Sequence, residues 1–170
     1  SPRPIPGQPG GMFRLTGLAH DEWSHVAYAS AINQHAMRMR SRKFAALQRT
    51  LKPPKVRGDE EGDMLVVGWG STRGAIEEAV ARAREDGLSV SSLHLTFLQP
   101  MAPGIGDILR RFRRVVTVEI NYADDPSDAL IDADNRRYAN LAWLLRGRYL
   151  VDVQNFAQVH GQPIKPAHIE

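Results

Sequence analysis

Cysteine is absent from all 170 residues. That excludes disulfides, thiolate zinc sites, cysteine-ligated iron–sulfur clusters and a cysteine nucleophile within this stretch. No apolar run approaches the ~20 residues of a membrane-spanning helix, and no secretory leader pattern is visible. A cytoplasmic location with no membrane contact is therefore expected. Aromatics are scarce where they would matter for nucleic acid. Arg38, Arg40, Arg42, Lys43, Arg49, Lys52, Lys55 and Arg57 follow one another with no acid between them, yet only Phe44 is interleaved. A nucleic-acid surface combines cations with stacking rings. This block reads instead as a solvated helix face and its linker, with a basic nucleic-acid module as an alternative.

What remains is an ordinary globular composition, 42% hydrophobic and 24% charged, enough for one domain with a core plus an appendage. The net charge of +3 is modest, but it is distributed in blocks. Asp59, Glu60, Glu61 and Asp63 follow the first basic block. Arg110, Arg111, Arg113 and Arg114 form a second, and Asp124, Asp125, Asp128, Asp132 and Asp134 an acidic one. The chain opens on Ser1, which suggests a processed chain or a piece of something larger.

Residues 1–11 hold too much proline and glycine to pack and read as an extended lead-in. A short strand is expected at 12–16. Asp21 is placed to cap a long helix running to about residue 51, stopped by Pro53 and Pro54. A polar linker follows, which sets the division 1–62 and 63–170. From there the pattern alternates: strands at 64–68, 90–98, 115–120 and 149–153, helices at 72–86, 107–112 and 137–146, with Gly87 ending the first of these helices. Such alternation argues an α/β fold with a mostly parallel sheet covered on both faces.

The motifs are tested by what each chemistry requires. Gly68, Gly70 and Gly74 give G-x-G-x-x-x-G, one residue longer than the dinucleotide fingerprint. No acid stands at the tip of the following strand to hold a ribose, and no lysine precedes Ser71 or Thr72 as a phosphate loop needs. A tight strand-to-helix turn is the favoured reading, with nucleotide or anion binding at this loop the alternative. In the turn reading, Gly70 takes a backbone angle costly for other residues, and Ser71 or Thr72 caps the helix. Gly70, Ser71, Thr72 and Arg73 then have at most weak affinity for sulfate or phosphate.

His20 and His25 are five apart, about 500° of helical rotation, which splays them too far to share a metal. Asp124, Asp125 and Asp128 lack the glycine and terminal glutamate of a calcium loop and read as a solvated loop. Glu119 sits at a strand end, where catalytic carboxylates occur in open α/β sheets, but without a partner its expected role is capping or contact. No catalytic residue and no metal ligand is assigned. Trp69 and Trp143 are the candidates for a contact surface.

The stretches LTGLAHDEWSH, MRMRSRK, VVGWGSTRGAIEEAV, LHLTFLQPMAP, VVTVEIN and LAWLLRGRYLVDVQNFAQVHGQPI, in that order, together resemble the C-terminal part of the α subunit of 2-oxoacid:acceptor oxidoreductases. The 2-oxoglutarate:ferredoxin branch is the most similar. The resemblance implies a transketolase C-terminal-like domain, a three-layer α/β/α sandwich around a five-strand, mostly parallel mixed sheet. It makes residues 1–60 the segment joining this domain to the pyrimidine-binding domain. The holoenzyme of that family uses thiamine diphosphate, magnesium, coenzyme A and iron–sulfur clusters to decarboxylate a 2-oxoacid and pass electrons to ferredoxin. This stretch is then a non-catalytic assembly domain that binds none of these cofactors. Its partners would be the remaining domains and the β subunit, in an oligomer, and it would meet ferredoxin only through the holoenzyme. One departure stands out. The family follows its E-x-N strand end closely with Gly-Gln-Leu, whereas here Tyr122 to Tyr138 intervene before Ala139-Asn140-Leu141.

Overall fold

The computed structural model describes residues 4–169. They form two compact units, one ending at Arg49 and one beginning at Thr50. The first unit holds turns and one helix, α1 (Ser30–Gln48). The expected strand at 12–16 does not form, because no neighbouring segment pairs with it. The long helix starts nine residues later than Asp21. Asp21 is instead committed to a turn: its carboxylate accepts from the Trp23 and His25 amides, both at 2.9 Å. An aspartate that bonds the backbone two residues on favours turn geometry over helix. No residue of α1 is buried.

The second unit is a five-stranded sheet in the order β1 (Val56–Arg57), β3 (Val90–Leu95), β2 (Gly62–Trp69), β4 (Phe112–Glu119), β5 (Val153–Ala157). Only β1 is antiparallel to its neighbour, so the sheet is mixed and mostly parallel, as expected. Two residues of the expected polar linker thus supply an edge strand. Helix α2 (Arg73–Glu85) connects β2 to β3, α3 (Ile105–Arg110) connects β3 to β4, and α4 (Asn140–Tyr149) connects β4 to β5.

Side chains alternate across each strand, so the two faces build separate cores. Leu65 and Val67 of β2 join Leu109, Leu141 and Leu145 of α3 and α4. Val66 packs with Ile76 and Val80 of α2 and with Ile164 of the C-terminal segment. Helices on both faces complete the α/β/α sandwich. Helix α2 presents Ile76, Ala79 and Val80 inward, the i, i+3, i+4 stripe of an amphipathic helix. It ends where Gly87 takes φ +86. The Leu88 amide reaches back to Ala83 and the Gly87 amide to Arg84, both at 3.0 Å, which satisfies carbonyls the helix end would leave free.

Several boundaries shift from the sequence reading: β3 ends at Leu95 and not at 98, and β4 begins at Phe112 and not at 115. Helix α3 begins at Ile105, two residues early, because Gly104 turns the chain at φ +80. Helix α4 begins at Asn140, three residues late, and runs to Tyr149. Leu150, at φ +52, then ends it, so the last strand forms at Val153–Ala157 and not at 149–153.

Candidate functional site

The features that carry chemistry gather at the C-terminal ends of β2, β3 and β4, the edge at which open α/β sheets meet ligands and partners. At the end of β2 the glycine loop is a tight turn. Gly70 takes φ +60, a region that L-side chains avoid. Gly68 is constrained by space: a Cβ there would lie 2.2 Å from Ile76 Cδ1 and 2.7 Å from Thr72 Oγ1. Nothing within 4 Å would meet one at Gly74. The expected side-chain cap is not made by Ser71 or by Thr72. A short 3-10 turn (Gly70–Thr72) winds into α2, and the buried Thr72 hydroxyl donates backward to the Trp69 carbonyl at 2.9 Å. Arg73 pairs with Glu77 at 2.7 Å one turn along α2, and Glu77 also holds Arg57 of β1 at 2.9 Å.

At the end of β4, Glu119 is fully buried. Its carboxylate accepts from the Thr117 hydroxyl at 2.8 Å, the Asn121 amide at 2.7 Å, and the backbone amides of Leu141 and Ala142 at 2.8 and 3.0 Å. Asn121 Oδ1 accepts the Asn140 amide at 3.0 Å. The first intrahelical bond, Trp143 to Ala139, is 2.9 Å. Together the Glu-x-Asn strand end satisfies the amides that open α4, which Ala139 cannot cap itself;. An acidic group there also lies at the favourable end of the helix dipole. Four hydrogen bonds inside the protein leave this carboxylate no room for acid–base work. Of the two roles expected of Glu119, capping or contact, capping is the one observed.

The segment between the strand end and α4 is a loop closed at its neck. Asp124 is buried and not solvated as the sequence reading had it. It accepts the Arg137 backbone amide at 2.8 Å and the guanidinium at 2.7 Å. The Arg137 hydrogen bonds come first among the causes that hold the Asp124 carboxyl down at about 2, and the same contact raises Arg137 above its ordinary value. Asp125 and Asp128 are used within the loop, each accepting the backbone amide two residues on, Ser127 and Leu130, at 2.8 and 2.9 Å. Above the neck lies a cleft of about 450 Å³ lined by Tyr122, Arg136, Arg137, Tyr138, Asn140 and Trp143. Arg136 and Arg146 lie over Tyr138 at 4.6 and 4.4 Å, and Tyr138 stacks against Trp143 with ring centres 6.2 Å apart. Trp143 is 64% exposed and Trp69 36%, so neither is a core residue. The sequence signalled Trp143. It gave no sign that Tyr138 and Arg136 would join it, because that depends on how the loop folds back.

His20 and His25 lie in a turn and not on a helix, and they take different partners: His20 Nδ1 lies 3.1 Å from the Leu18 carbonyl, whereas His25 pairs with Asp21 at 3.3 Å. Among the described residues, no group of three His, Cys, Asp or Glu side chains is placed to hold a metal ion. Thiamine diphosphate is held through magnesium and iron–sulfur clusters through thiolates. The sequence holds no cysteine to ligate such a cluster. Among the described residues no helix is long and apolar enough to cross a membrane.

No protein-family model matches the chain. It is similar to 2-oxoglutarate oxidoreductase subunit KorA of Mycobacterium tuberculosis, 35% identical over 159 residues, which is 92% of this chain and 22% of that protein. It is also similar to 2-oxoacid:ferredoxin oxidoreductase 1, subunit alpha, of Aeropyrum pernix, 34% identical over 132 residues, 74% of this chain and 20% of that protein. Among solved structures, the 2-oxoglutarate:ferredoxin oxidoreductase from Magnetococcus marinus, with 2-oxoglutarate, coenzyme A and succinyl-CoA bound, matches with a TM-score of 0.72 at 26% identity. That match covers 99% of this chain and 27% of the other. The chain thus spans 22% and 20% of the length of the two curated relatives.

Proposed function

We propose that this chain, a homologue of one segment of the 2-oxoacid:ferredoxin oxidoreductase α subunit, is a non-catalytic assembly domain of a 2-oxoglutarate-type enzyme. The observation that carries this reading is unsatisfied apolar surface. Helix α1 is 19 residues long and has no buried residue, yet it displays Met37, Met39 and Phe44. Helices draw most of their stability from burying an apolar face. Trp143, Leu144 and Leu150 are likewise exposed on and just after α4. Trp, Tyr and Arg, which gather around the cleft at Tyr138, are the residues that dominate protein–protein contacts.

The partners are the remaining domains of the α subunit and the β subunit. Thiamine diphosphate, magnesium, coenzyme A and the iron–sulfur clusters belong to those parts of the holoenzyme. Ferredoxin is met only through them, in the cytoplasm, with no role for nucleic acid. The test is acceptor reduction by the isolated chain supplied with 2-oxoglutarate, thiamine diphosphate, magnesium and coenzyme A. A rate equal to the blank is expected. Viologen reduction dependent on 2-oxoglutarate and well above the blank would overturn the reading.

A further inference from the structure

The C-terminal end of β3 opens into a crevice of about 490 Å³ whose wall includes the Arg57–Glu77–Arg73 ion pairs described above. Its size is that of a small-ligand site, which typically encloses roughly 300–1,000 Å³. The charge on its walls is one-sided. Lys52, Lys55, Arg57 and Arg73 line it against the single carboxylate of Glu77. The acidic block at Asp59, Glu60, Glu61 and Asp63 lies next in sequence, but none of those residues lines the crevice. Asp59, Glu60 and Asp63 pair with Arg84, Arg111 and Arg113 instead. Lys52 and Lys55 make no ion pair among the described residues.

The two arginines are pre-positioned. Glu77 holds Arg73 through Nε at 2.7 Å and Arg57 through one terminal nitrogen at 2.9 Å. Each guanidinium therefore keeps further N–H groups, since a guanidinium carries five donors. Both side chains remain more than half exposed. Apart from His94, the rest of the lining is apolar or a hydroxyl and includes Leu51, Leu95, Phe97 and Thr96. His94 also borders it, and its Nδ1 is buried with no hydrogen-bond partner among the described residues. Burial, with the Arg73 charge adding to it, pushes the imidazole below its ordinary value. A bound anion is what would stabilise its protonated form.

We propose that this crevice binds a small organic anion carrying a diphosphate group, which lies across Arg57 and Arg73 and is closed over by Lys52 and Lys55, with its apolar body against Phe97. Arginine forks match phosphoryl oxygens in geometry, and lysines add charge without fixing direction. Four cations against one carboxylate suit a ligand of two or more negative charges better than a single carboxylate. The glycine-loop region contributes one member, Arg73, whereas Gly70, Ser71 and Thr72 do not line the crevice. The inference is independent of the assembly role, since it concerns walls built entirely by residues 51–105.

Inorganic pyrophosphate and ADP are the probes, titrated calorimetrically into the 170-residue chain at low salt. A dissociation constant below about 1 mM is expected for both. Affinity should weaken as ionic strength passes about 0.1 M, where exposed charges become screened. The paired substitution Lys52→Ala, Lys55→Ala, on exposed positions outside any helix or strand, should weaken binding about tenfold. Arg148→Ala, remote from the crevice, should not. Pyrophosphate should also shift the His94 imidazole resonances in the unaltered chain, a readout that needs no variant. Absence of binding, affinity indifferent to the lysine pair, or a His94 signal unmoved at saturation would each overturn the proposal.

Discussion

Replacing Glu119 by alanine removes one acceptor from four donors at once. Two of them are the Leu141 and Ala142 amides, in residues that are themselves buried. A buried donor left without a partner costs about 1–3 kcal/mol. Two such amides set a range of roughly 2–6 kcal/mol, and water entering the vacated space recovers part of it. The expected loss is about 3–4 kcal/mol. For a unit of this size that corresponds to about 12–16 °C in melting temperature, at roughly 4 °C per kcal/mol. Glu119→Gln keeps the shape but turns an NH2 group toward donors, so about half the loss is expected. Urea unfolding followed by far-UV circular dichroism reads both variants, with the midpoint falling and the slope unchanged. A loss under about 1 kcal/mol for Glu119→Ala would refute the assignment of Glu119 as the cap of α4.

Gly70→Val places a β-branched residue at φ +60 and should cost at least about 1–2 kcal/mol; Gly68→Ala should also destabilise, by about 1–3 kcal/mol, through the clash with Ile76. Thermal melts of the two separate conformational from steric cost, since the Gly70 position has open space around it. Arg73→Ala should leave stability within about 0.5 kcal/mol, because exposed ion pairs contribute little. Asp124→Asn tests the loop neck through pH. The folded Asp124 carboxyl sits at about 2 against an ordinary 3.8, so its contribution is present above the ordinary value and lost as pH falls through about 2. Unfolding curves between pH 5 and 2 should therefore show a steeper loss in the parent than in Asp124→Asn, and parallel curves would contradict the clamp.

The sheet was legible because its strands are short runs of Val, Leu and Ile separated by glycine-marked turns, as in Val66-Val67-Gly68 before Gly70 and Ser89-Val90 after Gly87. The Gly87 helix end and the Gly70 turn were legible for the same reason: a left-handed backbone angle has a residue type attached to it. The start of α1 was not. Asp21 serves a helix cap and an Asx turn equally well by type, and only the downstream contacts decide between them. Thr72 misled in a similar way, since its hydroxyl bonds backward to Trp69 and not forward into α2. The burial of Asp124 depends on Arg137, thirteen residues on, a pairing that no local pattern announces. The basic crevice was hidden because Lys52, Lys55 and Arg57 meet Arg73 only once β1 joins the sheet edge beside β3. In sequence they were the tail of a charge block that looked merely solvated.

The proposed assembly role requires this chain to bind the other parts of an oxidoreductase. Light scattering on a mixture of the chain with a partner preparation, the β subunit and an α subunit lacking this segment, tests it directly. The account predicts a stoichiometric complex that is weakened when Trp143→Glu places a charge on the exposed face of α4. Elution of the chain as an independent species at concentrations where the other components assemble, with Trp143→Glu making no difference, would contradict it.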